Sequence, residues 1–245
     1  MWQIVAHGTP TEYVLAMYLA RLRENLPRVE ERIARAIGGA GPAAGVTVVA
    51  VTKGHPLEAV QAAVEVGLRD VGENRVAELE RKHAELGSPV RWHLIGHLQR
   101  NKVSRAVGRF DLLQSLDSLR LAQELSKEAE RAGRRIEVLV QVNASGEAAK
   151  GGLDVESAQE TIVEMAEMPT LHVRGLMTMA PFTDDEAVLR RTFRRTRELY
   201  DACARHVKGF DARHLSMGMS NDFAIAVEEG STMVRLGTAL FGERT

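Results

Sequence analysis

From residue 11 to residue 37, Leu15, Leu19, Leu22, Leu26, Val29, Ile33 and Ile37 fall three or four positions apart. That spacing gathers apolar side chains along one face of an α-helix. Pro27 lies inside the stretch, and a proline there removes an intrahelical hydrogen bond, so the pattern predicts a kink or a split. The stripe could form a seam with a second copy, but packing against the chain's own core is the commoner use of such a face. Gly38-Gly39-Ala40-Gly41-Pro42 then predicts a turn.

Beyond that turn the period changes. Short β-branched or apolar runs alternate with helical segments, starting with Val46-Thr47-Val48-Val49-Ala50-Val51. Eight such runs are expected as strands, at about 46–52, 69–72, 90–95, 110–115, 136–142, 172–179, 212–216 and 232–236. Helical patterns fit between them, including Pro56 to Val66, Asp117 to Arg131, Val155 to Glu167 and Asp184 to His206. Eight βα units predict a closed (β/α)8 TIM-like barrel with an additional N-terminal helix at about 10–37. An open doubly wound sheet would show the same alternation, but no Gly-x-Gly-x-x-Gly follows the first strand. No linker or low-complexity stretch interrupts the series, so residues 1–245 read as a single domain.

Composition narrows the ligand. Lysine and arginine total 32 against 33 aspartates and glutamates, a formal net charge of -1. No overall field draws the chain to nucleic acid or to an anionic membrane, which leaves a small molecule as the expected ligand. Cys203 is the sole cysteine, which excludes an internal disulfide and a cysteine-cluster metal site and suits a reducing compartment. The start Met1-Trp2-Gln3-Ile4-Val5 has neither a basic region nor a long apolar run, so a cytoplasmic location is expected. A monomer is the default.

In a barrel the chemistry belongs at the C-terminal ends of the strands. The first strand ends in Thr52-Lys53-Gly54-His55-Pro56, and a lysine there either forms an imine with a carbonyl compound or serves as a salt-bridge partner. The second runs into Gly72-Glu73-Asn74-Arg75, polar groups that could hold ligand oxygens or cap a helix. The third carries Trp92-His93-Leu94-Ile95-Gly96-His97-Leu98-Gln99-Arg100-Asn101-Lys102. His93 and His97 are four apart, but alternation along a strand and the intervening glycine argue against convergence on a metal. The fifth strand ends at Gln141-Val142-Asn143 before a polar, glycine-rich loop that could cover a ligand or simply connect. Near the C-terminus, Leu215-Ser216-Met217-Gly218-Met219-Ser220-Asn221-Asp222 and Val234-Arg235-Leu236-Gly237-Thr238 end the last two strands. Barrels commonly bind phosphate there, through backbone amides and hydroxyls. A candidate imine lysine and a candidate phosphate cradle thus meet where strands one and eight close the ring, and pyridoxal 5'-phosphate (PLP) needs both.

These segments, from Val51-Thr52-Lys53 to Val234-Arg235-Leu236-Gly237-Thr238, resemble the pyridoxal phosphate homeostasis family (the YggS/PROSC type) from about Asn25 to Gly242. The resemblance implies a barrel like the N-terminal domain of alanine racemase, with PLP held as an internal aldimine on Lys53. It implies Arg235 facing the pyridine nitrogen, phosphate contacts from Ser220, Gly237 and Thr238 and less directly from Ser216 and Met219, and Asn74 near the ring. Gly54-His55-Pro56 departs from the more hydroxylated or basic stretch of relatives, and residues 1–10 have no counterpart.

An arginine at the ring nitrogen keeps it unprotonated and weakens the electron sink used in carbanion chemistry. Alanine racemases also add a second domain that supplies a tyrosine base, and this chain ends at Thr245. The expected role is therefore a carrier that holds PLP, limits the free aldehyde and delivers it to apo-enzymes with little or no catalysis. The alternatives are a slow PLP-dependent amino-acid racemase and a cofactor-free Schiff-base aldolase.

Overall fold

A computed structural model describes residues 9–38, 45–147 and 150–243. Helix α1, Pro10–Ala36, begins with a capping box: the Thr9 hydroxyl accepts from the Glu12 amide while the Glu12 carboxylate accepts from the Thr9 amide. It runs unbroken through Pro27, so the expected split does not occur. Pro27 and Arg23 both face solvent, which leaves the carbonyl freed by proline open to water. The buried stripe Leu22, Leu26, Val29 and Ile33 continues past the proline on the opposite side.

The strands are β1 (Thr47–Val51), β2 (Asp70–Glu73), β3 (Arg91–Leu94), β4 (Leu112–Leu116), β5 (Ile136–Asn143), β6 (Leu153–Asp154), β7 (Leu171–Met177), β8 (His214–Met219) and β9 (Met233–Leu236). The helices after α1 are α2 (Leu57–Glu65), α3 (Val76–Leu86), α4 (Val103–Ala106), α5 (Leu119–Arg131), α6 (Ala158–Ala166), α7 (Glu186–His206), α8 (Phe223–Glu228) and α9 (Thr238–Phe241). All strand pairings are parallel. Their order runs β4-β3-β2-β1-β9-β8-β7-β5, and β4 also pairs with β5. Eight strands therefore close into a barrel, which rules out the open sheet. β6, which the sequence pattern does not signal, adds two residues beside the end of β5. Closure needs Gly175 on β7: its φ is +141°, and a Cβ there would lie 1.8 Å from the His214 carbonyl oxygen on β8.

Alternation along the strands sorts the core. Outward side chains meet the helices in an extensive apolar layer. A second layer joins Ala50, Val234 and Leu236 to Tyr18, Leu22, Leu26, Val29 and Ile33 of α1, so the stripe packs on this chain's own barrel. Inside the barrel the apolar set is small: Val49, Leu112, Leu139, Met177 and Met233. His93, Gln114, Ser216 and Arg235 are buried as well. Cys203 is buried in α7, and burial pushes its thiol up to about 11, so it stays protonated at neutral pH. Among the described residues no helix is long and apolar enough to cross a membrane. Of the expected glycine turn, Gly38 has φ +77°, and residues 39–42 lie outside the described residues.

Candidate functional site

Val49 and Val51 are inward positions of β1, and Lys53 continues that parity two residues past the strand, half-buried. The turn that carries it is fixed from two sides. On the first, the Thr52 hydroxyl donates to Glu73 Oε1 at 2.5 Å. Lys82 Nζ, from α3, donates to the same oxygen at 2.7 Å, to the Thr52 carbonyl at 2.8 Å and to Glu78 Oε1 at 3.1 Å. Glu78 Oε1 in turn accepts the Gly54 amide at 2.7 Å. Glu73 and Lys82 are both fully buried. Burial raises the Glu73 carboxyl above its ordinary value, against the opposing pull of Lys82. Sequence reasoning missed this pair, although the Glu78 to Lys82 spacing of four was a usable signal.

On the second side, the Tyr18 hydroxyl of α1 lies 2.9 Å from His55 Nδ1. The His55 ring also stacks near Phe241, with 5.3 Å between ring centres. Arg21 and Asn25 of α1 donate to the carbonyls of Phe241 and Leu240. The unusual Gly54-His55-Pro56 segment is thus the point at which α1 grips the lysine turn.

β9 lies beside β1, with Arg235 paired to Val49. The buried Arg235 guanidinium donates to the Ser216 carbonyl at 3.0 Å, the Ser216 hydroxyl at 2.7 Å and the Thr178 carbonyl at 2.8 Å. A guanidinium has more N–H groups than these bonds use, so donors remain for a ligand acceptor. Burial lowers it to about 10, which leaves it charged at neutral pH. The Asp222 carboxylate lies close enough to support that charge and accepts the Met219 amide at 2.6 Å.

Ser220, Gly237 and Thr238 gather at the same end. Ser220 Oγ accepts the Ala239 amide at 3.1 Å, tying the turn after β8 to α9. A Cβ at Gly237 would meet the Val51 carbonyl oxygen at 3.6 Å, so this turn packs on the end of β1. Met219 closes β8, exposed. Asn74 follows β2, half-buried. The next turn presses on it so closely that a Cβ at Gly96 would sit 2.2 Å from the Asn74 carbonyl oxygen. Ser216 stands apart from the rim: it is fully buried in the barrel interior, and its hydroxyl donates to Gln114 Oε1 at 2.7 Å.

The two histidines diverge. His97 is an exposed rim residue with Nδ1 2.8 Å from Asp117 Oδ2. His93 is buried inside the barrel between Asp70 and Gln114. The loop after β5 folds back on its own strand, Asn143 Nδ2 donating to the carbonyls of Glu147 and Lys150.

Comparison with known proteins agrees with this fold. Residues 18–245 match the family described as alanine racemase, N-terminal domain. A pyridoxal phosphate homeostasis protein of Aquifex aeolicus is 41% identical over 223 residues, 90% of this chain and 97% of that one. A pyridoxal phosphate homeostasis protein of Pseudomonas aeruginosa is 40% identical over 228 residues, 92% of this chain and 97% of its own length. PipY of Synechococcus elongatus, solved with PLP bound, superposes with a TM-score of 0.76 at 35% identity, covering 87% of this chain and all of PipY. Matched along nearly its whole length, the chain belongs to the family of pyridoxal phosphate homeostasis proteins, built on the alanine racemase N-terminal barrel.

Proposed function

We propose that this protein binds PLP as a Schiff base on Lys53 and acts as an intracellular PLP carrier in the cytoplasm, delivering the cofactor to PLP-dependent apo-enzymes. The observation that carries the reading is Arg235: a buried, charged guanidinium with donors to spare, on the strand in register with the one that ends at the lysine. The donor set fits the cofactor. An amine, hydroxyl and amide donors in the turns after β8 and β9, and a ring-nitrogen partner all stand at one barrel end.

The Lys53 amine condenses with the cofactor's aldehyde and water leaves. Ser220, Gly237 and Thr238 hold the phosphate, Asn74 lies beside the ring, and Met219 supports the cradle through its backbone. Ser216 serves from below, by holding Arg235. Arg235 donates to the ring nitrogen and, being positively charged, opposes its protonation. That arrangement favours retention over chemistry that uses the ring as a strong electron sink.

The test is the visible spectrum of the purified protein and of Lys53→Ala. A Schiff-base band in the wild type that is absent from the variant is expected. A colourless wild type that regains no band on adding PLP excludes the reading. Turnover of D- or L-amino acids that depends on Lys53 would favour the racemase.

A further inference from the structure

A chain of hydrogen bonds crosses the barrel interior below the candidate site, with one side branch from the Gln114 amide nitrogen to Met233 Sδ at 3.2 Å. Arg235 donates to Ser216 Oγ at 2.7 Å, and Ser216 Oγ donates to Gln114 Oε1 at 2.7 Å. The amide nitrogen of Gln114 lies 2.7 Å from His93 Nδ1, and His93 Nε2 lies 2.8 Å from Asp70 Oδ1. The five residues come from β9, β8, β4, β3 and β2. His93, Gln114 and Ser216 have no exposure at all. Asp70, at the first residue of β2, reaches the opposite end of the barrel, with 21% of its side chain exposed.

The direction of every bond follows from donor and acceptor inventory. The Asp70 carboxylate only accepts, so Nε2 donates to it, and Nδ1, which faces the Gln114 amide nitrogen, is the ring's acceptor. Gln114 must then turn its NH2 toward His93 and its carbonyl toward Ser216. The Ser216 proton is thereby committed to Gln114, and the hydroxyl lone pairs face Arg235. All donors point one way, from the guanidinium cation to the Asp70 anion, an arrangement in which each bond polarises the next.

We propose that Gln114 and His93 are positioning residues: through Ser216 they fix the Arg235 guanidinium for the ring nitrogen of PLP. The proposal rests on the PLP reading of the site. Without the Gln114 carbonyl, the Ser216 hydroxyl is free to turn its hydrogen toward the guanidinium, and Arg235 loses a side-chain anchor in the buried barrel interior. His93 acts one step further back, by holding the Gln114 amide in the orientation that presents its carbonyl.

The test uses full-length protein loaded with PLP and compares His93→Leu, His93→Gln and Gln114→Met with the wild type. The readouts are the absorption maximum of bound PLP and the Kd from titrating PLP into the apo-protein. Glutamine at position 93 can still accept from Gln114 and donate to Asp70, whereas leucine can do neither. His93→Leu is expected to move the absorption maximum and to weaken binding about tenfold, and His93→Gln to restore both. Gln114→Met keeps a similar side-chain volume and brings no charge, but offers Ser216 no carbonyl and Nδ1 no donor; it is expected to move the maximum even if the leucine variant fails to fold. Folded variants with wild-type maximum and Kd, or a His93→Gln variant as impaired as His93→Leu, would overturn the proposal. A wild type with no Schiff-base band overturns the ligand reading and this proposal together. A normal band that ignores all three substitutions overturns only the positioning role.

Discussion

His214 opens β8 at the barrel end away from Lys53, and among the described residues its buried Nε2 has no hydrogen-bond partner. Burial, helped by the positive charge of Arg91, lowers its ring to about 4 from 6.5. The unfolded chain therefore takes up a proton near pH 6.5 that the folded chain refuses until about pH 4. Stability from this residue is complete above the unfolded value and falls as the pH drops through that window, by roughly 3 kcal/mol in full. Urea unfolding at stepped pH should show this decline, and His214→Gln should flatten it; an equal slope in the variant would contradict the assignment. Legibility at this scale depended on strand ends. Lys53 and Arg235 were readable because each stands at the close of an apolar run. Ser216 was read as a rim residue because the predicted strand stopped there, whereas β8 runs on through Gly218 to Met219. Small and polar inward residues concealed those last positions. Lys82 lies in the charged run Glu80-Arg81-Lys82-His83, which reads as a solvated helix face; only the packing of α3 against the turn after β1 buries it.

Among the elements, α1 was the most readable and the most informative. Its apolar stripe predicts one buried face whatever the fold around it, and the structure places that face on α2, α8, α9 and the outer side of β1 and β9. What the pattern could not show is that the helix also braces the lysine turn, since Tyr18 meets His55 only after the chain has folded. Leu22, with no exposure, should cost about 2–5 kcal/mol when changed to alanine. Tyr18→Phe should cost about 1 kcal/mol by leaving the hydrogen bond to His55 unmade. Denaturant titrations of both variants measure this. A Leu22→Ala protein within about 0.5 kcal/mol of wild type, as for a surface change, would mean that α1 does not pack on the barrel.

At the scale of the whole molecule, eight apolar runs alternating with helical patterns were enough to predict a closed barrel. Strand pairing followed once closure was assumed. The polar interior was not readable in this way: alternation shows which residues share a face, but only the closed ring brings His93, Gln114 and Ser216 within bonding distance of one another. Closure likewise makes a site of two distant segments, because β1 and β9 become neighbours and set Arg235 beside Val49. The proposed function requires the lysine at that junction to hold the cofactor covalently. Its most direct test is borohydride reduction of the PLP-loaded protein, followed by proteolysis and mass spectrometry of the peptides. The predicted result is one reduced pyridoxyl adduct, on the peptide containing Lys53. An adduct confined to another lysine, such as Lys82 or Lys150, or PLP recovered entirely unlinked, would contradict it.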